Sequence, residues 1–75
     1  MDYRPFIGID PQIRSGKPCV KGTRISVFDV LDYLAGGMAI DEILGDFPQL
    51  SRDSVLACLA YAADRRRSLG MRGIR

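Results

Sequence analysis

Three cationic side chains stand close together in a stretch of sequence punctuated by glycine and proline: Lys17, Lys21 and Arg24. A nucleotide-binding phosphate loop needs Gly-Lys-Ser/Thr at a fixed spacing before a helix, and neither glycine–lysine pair of this stretch provides it. Contacts to the phosphates of DNA need no fixed spacing, so these residues are candidate DNA-binding residues. The alternative is structural: the glycines serve turn geometry, and Thr23 and Arg24 fasten the segment to the helices.

A second cationic group lies near the carboxyl end, at Arg65, Arg66 and Arg67. A flexible arginine-rich tail can form bidentate pairs with clustered carboxylates, so these arginines are candidate protein-binding residues. The alternative is a helix whose last turn carries cations that favour the negative end of its dipole.

Residues suited to catalysis or metal binding are scarce. The chain has no histidine, and Cys19 and Cys58 stand without a ligand pattern around them. Asp41 and Glu42 are adjacent and point in different directions on a helix, so they are not an acid–base pair. We therefore expect a protein that is not an enzyme and holds no cofactor or metal. Its cysteines are predicted to be reduced, buried thiols, with a disulfide as the alternative.

The local patterns predict the elements that must position these residues. Short β-forming segments bounded by glycine and proline predict a hairpin-like arm over residues 6–26. Apolar residues at helical spacing predict helices at about 27–36, 40–46 and 51–67, followed by a frayed tail at 68–75. Ser26 with Asp29 resembles a capping box, and Ser51 is the expected cap of the third helix. We expect one domain over residues 1–75, mainly α: a three-helix helix-turn-helix fold, homeodomain-like or winged-helix-like, with an N-terminal β-hairpin arm.

The third helix would be the recognition helix if this domain reads DNA. Its predicted inner face consists of Val55, Leu56, Leu59, Ala60 and Ala63. The early outward positions would be Ser51, Arg52, Ser54 and either Ala57 or Cys58. Arg52 is the one strong donor among them and becomes the fourth candidate DNA-binding residue. The acidic second helix would repel phosphates, which argues against conventional docking in the major groove.

Charge and length add two expectations. The net charge is +3 over residues 1–25, −5 over residues 26–53 and +4 over residues 54–75, an asymmetry that suggests a charged partner. A chain of 75 residues supports only a marginal core, so we expect a homodimer or a complex with another protein. The chain lacks the layout of a signal peptide and any apolar run near the ~20 residues of a membrane span, which predicts a cytoplasmic protein without membrane contacts.

The sequence also resembles a known family. The string GKPCVKGTRISV at residues 16–27, followed by LAGG at 34–37, DEIL at 41–44 and FPQL at 47–50, resembles the signature of the family called domain of unknown function 433. The resemblance covers roughly residues 6–63 and implies a helix-turn-helix fold. It also implies a VapB-like antitoxin that binds a toxin with a PIN-like nuclease domain. One departure is the stretch Met38-Ala39-Ile40, because the residue that opens the second helix in such sequences is often a serine or threonine; the missing oxygen cap costs about 1 kcal/mol.

The resemblance implies the antitoxin of a type II toxin–antitoxin system, and the cationic ends of the chain agree with that expectation. It would neutralise a PIN-like nuclease by direct binding and repress its own operon as a dimer on promoter DNA. The arginines at 65–67 lie beyond the shared region, and we expect them to enter the carboxylate cluster that holds the nuclease's metal. The alternatives are a protein-binding module without DNA affinity and a stand-alone transcription regulator.

Overall fold

The structure is a computed structural model that describes residues 1–68. For residues 66–68 it describes only the helical backbone. Its elements in chain order are β1 (Ile7–Gly8), a 3-10 turn (Arg14–Gly16), β2 (Cys19–Val20), α1 (Val27–Ala35), α2 (Ile40–Asp46) and α3 (Arg52–Ser68). The predicted mainly helical architecture with three helices and an antiparallel hairpin is confirmed. The helix ends lie within one residue of the predicted bounds. Of the predicted frayed tail, Ser68 belongs to α3, and residues 69–75 lie outside the described residues.

The arm, residues 6–26, folds back on itself. Ile7 pairs with Val20 across an antiparallel ladder, and Gly8 pairs with Cys19. The N–H of Thr23 donates to the carbonyl oxygen of Val20 at 3.0 Å and closes a turn. Gly22 has φ +80° at the third position of that turn, a conformation that favours glycine. The predicted turn at this point is therefore present, and its geometry explains the glycine.

Both ends of α1 are closed, and the predicted capping box is present at the first end. The Ser26 hydroxyl accepts a hydrogen bond from the N–H of Asp29 at 3.0 Å, and the Asp29 carboxylate accepts one from the N–H of Ser26 at 3.1 Å. At the other end, Gly37 has φ +99°, and its N–H donates to the carbonyl of Leu34 at 3.0 Å. This left-handed glycine stops the helix and satisfies a carbonyl that would otherwise lack a partner.

The other two helices begin differently. Ala39 offers α2 no side-chain oxygen, as predicted, but the Glu42 carboxylate accepts a hydrogen bond from the N–H of Ala39 at 2.8 Å. Half of a capping box is therefore present. Ser51 caps α3 as predicted: its hydroxyl accepts from the N–H of Ser54 at 3.1 Å, and the Ser54 hydroxyl accepts from the N–H of Ser51 at 2.8 Å.

The core lies where α3 packs against α1, α2 and β1. The buried cluster comprises Ile7, Val20, Val27, Val30, Ile43, Leu50, Val55, Ala57, Cys58 and Tyr61. Tyr3 packs edge-on against Tyr61, with 5.3 Å between ring centroids, and so holds the N-terminal segment against α3.

The predicted inner face of α3 is wrong in part. Val55 is buried, but Leu56 and Leu59 are 38% and 42% exposed, and Ala63 is exposed. The buried face consists instead of Ser54, Val55, Ala57, Cys58 and Tyr61. Small side chains on most of this face let α3 approach its neighbours closely. A second apolar stripe therefore faces outward: Leu56, Leu59, Ala60 and Ala63, called the outer stripe below.

Candidate functional site

The arm is fastened to α1 by Arg14. One guanidinium nitrogen, Nη1, donates to the carbonyl oxygen of Arg24 at 2.7 Å and to Oδ2 of Asp29 at 2.9 Å. Thr23 serves the turn itself, because its hydroxyl donates to the carbonyl of Val20 at 2.8 Å. The prediction that Thr23 and Arg24 fasten the arm to the helices is therefore wrong. The side chain of Arg14 makes the contact with α1, and Arg24 takes part through its backbone carbonyl oxygen.

The Asp29 carboxylate lies at the centre of this fastening. Burial raises its pKa, but hydrogen bonds from Ser26 and from the Arg14 guanidinium outweigh burial, so the pKa lies below its ordinary value of 3.8. Arg14 and Ser15 have φ values of +52° and +59°, which are unfavourable for residues with a side chain. The interactions of Arg14 offset this strain and shape the 3-10 turn.

The candidate DNA-binding residues of the arm are all exposed. Lys17 and Lys21 border one cleft of about 210 Å³, and the aliphatic stem of Lys21 lies against Gly8. Arg24 follows the turn at Gly22, with its carbonyl held by Arg14. The arm thus presents three solvent-exposed cations on a backbone tied to the helices, an arrangement suited to phosphate contacts.

Arg52, the candidate on α3, is exposed and lies 3.6 Å from Asp41 of α2, measured from Nη1 to Oδ1. Its expected neighbours in a DNA-reading set are buried: Ser54, Ala57 and Cys58. The Ser54 hydroxyl donates to the carbonyl of Ser51 at 2.8 Å, so it is also engaged. The prediction that these three positions face outward is wrong because they form the close-packed inner face of α3.

The candidate protein-binding arginines begin where the core ends. Tyr61 is the last buried side chain in the described part of α3, and the exposed Arg65 guanidinium lies 6.0 Å from the centre of the Tyr61 ring. Arg66 and Arg67 continue the same helix, which ends at Ser68. Successive helical positions are separated by about 100°, so the three arginines occupy different faces of α3. They belong to a helical extension of the fold.

Both cysteines are free, buried thiols. Burial raises the pKa of the Cys58 thiol from 9.0 to about 11, so this thiol stays protonated near neutral pH. Within residues 1–68, no group of three or more His, Cys, Asp or Glu residues is placed to hold a metal ion. None of the helices described here has the length and apolar character needed to cross a membrane.

A family model described as "Protein of unknown function (DUF433)" matches residues 7–62, which include the arm from Ile7 onward, α1, α2 and most of α3. The chain belongs to the DUF433 family. The family resemblance expected from the arm motif and the helix pair is confirmed.

This DUF433 chain is similar to an uncharacterized protein, y4eO, of Sinorhizobium fredii, with 32% identity over 59 residues. The match covers 79% of this chain and 27% of that relative. A crystal structure of a DUF433 member from Anabaena variabilis matches with a TM-score of 0.77 and 25% identity, over 87% of this chain and 64% of that chain. The chain thus spans about a quarter of the curated relative's length.

Sequence reasoning on this DUF433 chain missed Arg14 and wrongly assigned the outer stripe to the core-facing side of α3. No local signal marks Arg14, because its carboxylate partner lies fifteen positions along the chain. The outer stripe did leave a signal. Leu56, Leu59 and Ala63 recur at helical spacing, and Val55 and Cys58 recur at the same spacing one position earlier.

Proposed function

We propose that this chain is the antitoxin of a type II toxin–antitoxin pair: a non-enzymatic module that binds a PIN-like nuclease toxin and neutralises it. The observation that carries this proposal is the exposed position of Arg65 on α3 beyond Tyr61, the last buried side chain in the described part of this helix; Arg66 and Arg67 follow on the same helix. The exposed Arg65 guanidinium is available to an acidic partner. The toxin class comes from the family resemblance.

The chemistry of the contact follows from the arginines. Each guanidinium can form a bidentate pair with a carboxylate, and PIN-like nucleases hold their metal with clustered carboxylates. The Tyr61 ring beneath Arg65 limits the freedom of that side chain, so less entropy is lost on binding. Insertion of the helix end would occlude the metal site and block RNA cleavage.

We also propose that the fold is a helix-turn-helix and that a dimer represses its own operon. The short connection between α2 and α3, with α1 packed behind α3, supports this class. The exposed surface of α3 carries Leu56 and Leu59 where base reading needs polar donors. DNA binding is therefore assigned to backbone phosphates, through Lys17, Lys21 and Arg24 of the arm, with Arg52 in a minor role. The outward leucines disfavour a stand-alone regulator that reads bases through α3.

The proposal is tested by co-expressing the tagged chain with the product of the adjacent gene and washing the captured complex at low and then high salt. We expect a stoichiometric complex that suppresses ribonuclease activity. The R65Q/R66Q/R67Q variant keeps the helix but should lose most inhibition. The matched control, K17Q/K21Q/R24Q, removes the same charge from the arm and should inhibit like the wild type. Full inhibition by R65Q/R66Q/R67Q would refute the arginine mechanism, and absence of any complex at both salts would refute the antitoxin role.

A further inference from the structure

We infer that the N-terminal residues 1–5, called the strap below, hold the exposed end of α3 in place, and that Tyr3 is the positioning residue through which they do so. Arg65 lies on that end of α3 and is assigned above to toxin binding. The role of Tyr3 in inhibition therefore rests on the proposed function, whereas its role in holding α3 does not.

Tyr3 contacts α3 through both its ring and its hydroxyl. The ring packs edge-on against Tyr61, with 5.3 Å between ring centroids. The hydroxyl donates to the Asp64 carboxylate, and this hydrogen bond raises the pKa of Tyr3 above its ordinary value of 10.0. The hydroxyl therefore stays protonated and remains a donor near neutral pH. Positions three apart are neighbours on a helix surface, so the two contacts grip one side of α3.

The main chain around Tyr3 is held as well. Its carbonyl oxygen accepts hydrogen bonds from the N–H of Phe6 at 2.9 Å and from the N–H of Ile7 at 3.1 Å. Ile7 belongs to β1 and is buried in the core. On the other side of Tyr3, the Asp2 carboxylate accepts from the N–H of Arg4 at 3.0 Å and closes a turn. The Tyr3 side chain thus reaches α3 from a backbone that is tied to the hairpin.

The end of α3 is the part of the helix that needs such support. Tyr61 is the last buried side chain in the described part of α3, yet the helix continues to Ser68. Helical turns without tertiary packing are marginal in water. Tyr3 makes its contacts where this extension begins, at Tyr61 and Asp64. The Arg65 guanidinium lies 6.0 Å from the centre of the same Tyr61 ring, so loss of Tyr3 would loosen both the turn that carries Arg65 and the ring beneath it.

A cleft lies between the strap and α3, which makes Tyr3 the bridge between them. The cleft has a volume of about 530 Å³, with Met1 and Arg4 on the strap side and Ala60 and Ala63 on the α3 side. The hydrogen bond from Tyr3 to Asp64 joins the two sides. The exposed Arg4 side chain pairs with Asp2 of the strap itself, 3.0 Å from Nε to Oδ1, and so offers a matched control.

Hydrogen exchange of the isolated chain, followed by NMR at single amides, tests the strap without a toxin. Y3A should speed exchange of the amides of residues 64–67 by about tenfold and affect the amides of α1 much less. Y3F keeps the ring and loses only the hydroxyl, so it should restore part of the protection. R4A should exchange like the wild type. Unchanged exchange of residues 64–67 in Y3A, or an equal acceleration in α1, would overturn the inference.

Toxin inhibition tests the consequence for Arg65. The inhibition constants of the wild type, Y3A, R65Q and Y3A/R65Q form a double-mutant cycle. We expect Y3A to weaken inhibition several-fold in the wild-type background and to add little to R65Q, because Tyr3 acts through Arg65. Additive losses would overturn this role of Tyr3. If the wild type captures no toxin, the antitoxin role fails, and the exchange measurement still decides whether the strap holds α3.

Discussion

The guanidinium of Arg14 lies 2.9 Å from the carboxylate of Asp29 and joins the arm to the first turn of α1. The same carboxylate accepts the N–H of Ser26, so one aspartate both caps a helix and anchors the arm. Both side chains of the pair remain about one third exposed, which limits the energy of the ion pair itself. The arm carries the candidate DNA-binding cations, and this contact is one of those that join it to the helices.

Replacing Arg14 with alanine should lower the free energy of unfolding by about 1–2 kcal/mol, because two hydrogen bonds from a charged donor are lost. R14G removes the same bonds but relieves the unfavourable positive φ, so it should be more stable than R14A by about 1 kcal/mol. Urea denaturation of both variants measures the difference. Equal stability of R14A and the wild type would show that the contact does not hold the arm.

The Asp29 carboxylate predicts a dependence of stability on pH. Its pKa is lowered in the folded state, so its contribution is present above the unfolded-state value of 3.8 and is lost as the pH falls through the folded-state pKa. The wild type should therefore exceed D29N in stability by a constant amount between about pH 5 and 7, and by progressively less below about pH 4. Thermal melts of both proteins across this pH range measure the difference in stability. The other carboxylates are the same in both proteins, so their contributions cancel in this difference. A stability difference that grows as the pH falls would contradict a lowered pKa of Asp29 in the folded state.

The missing oxygen cap of α2 predicts a stabilising substitution. Ala39 has φ −74° and ψ 156°, which already suit a capping residue, and its side chain is exposed. A39S should therefore raise the free energy of unfolding by about 0.5–1 kcal/mol. A35S is the matched control, because a serine at the end of α1 meets no free helical N–H and should be neutral or slightly destabilising. A39S without any gain in a denaturant titration would indicate that the Glu42 contact already suffices.

The basic arm predicts how DNA binding responds to salt. If Lys17, Lys21 and Arg24 contact phosphates, each single glutamine variant should weaken binding of promoter DNA whatever the sequence. Each should also reduce the slope of log affinity against log salt by about 0.9. R4Q is the control, because Arg4 lies outside the arm and pairs with Asp2 at 3.0 Å. Fluorescence anisotropy in a salt series provides the measurement. Unchanged slopes in all three arm variants would remove these residues from the interface.

Structural features that depend on only a few consecutive residues could be predicted from the sequence. The capping pair Ser26–Asp29, the cap at Ser51 and the turn glycines Gly22 and Gly37 were readable because each group bonds to backbone within about four positions. Helix bounds followed from these signals and from apolar spacing. The family was also recognisable, because its motifs lie in the same local elements.

Two features depend on how separate elements pack together: which side of α3 faces the core, and which residue joins the arm to α1. Val55 and Leu56 are both apolar, and each belongs to a stripe of apolar residues at helical spacing. The sequence does not distinguish the two stripes, but α1, α2 and β1 pack against the one with mostly small side chains. The Arg14 contact spans fifteen positions and the Tyr3–Asp64 contact spans sixty-one, so no local spacing rule predicts either. Contacts of this kind arise only when separate elements pack together, and that packing left Leu56 and Leu59 exposed.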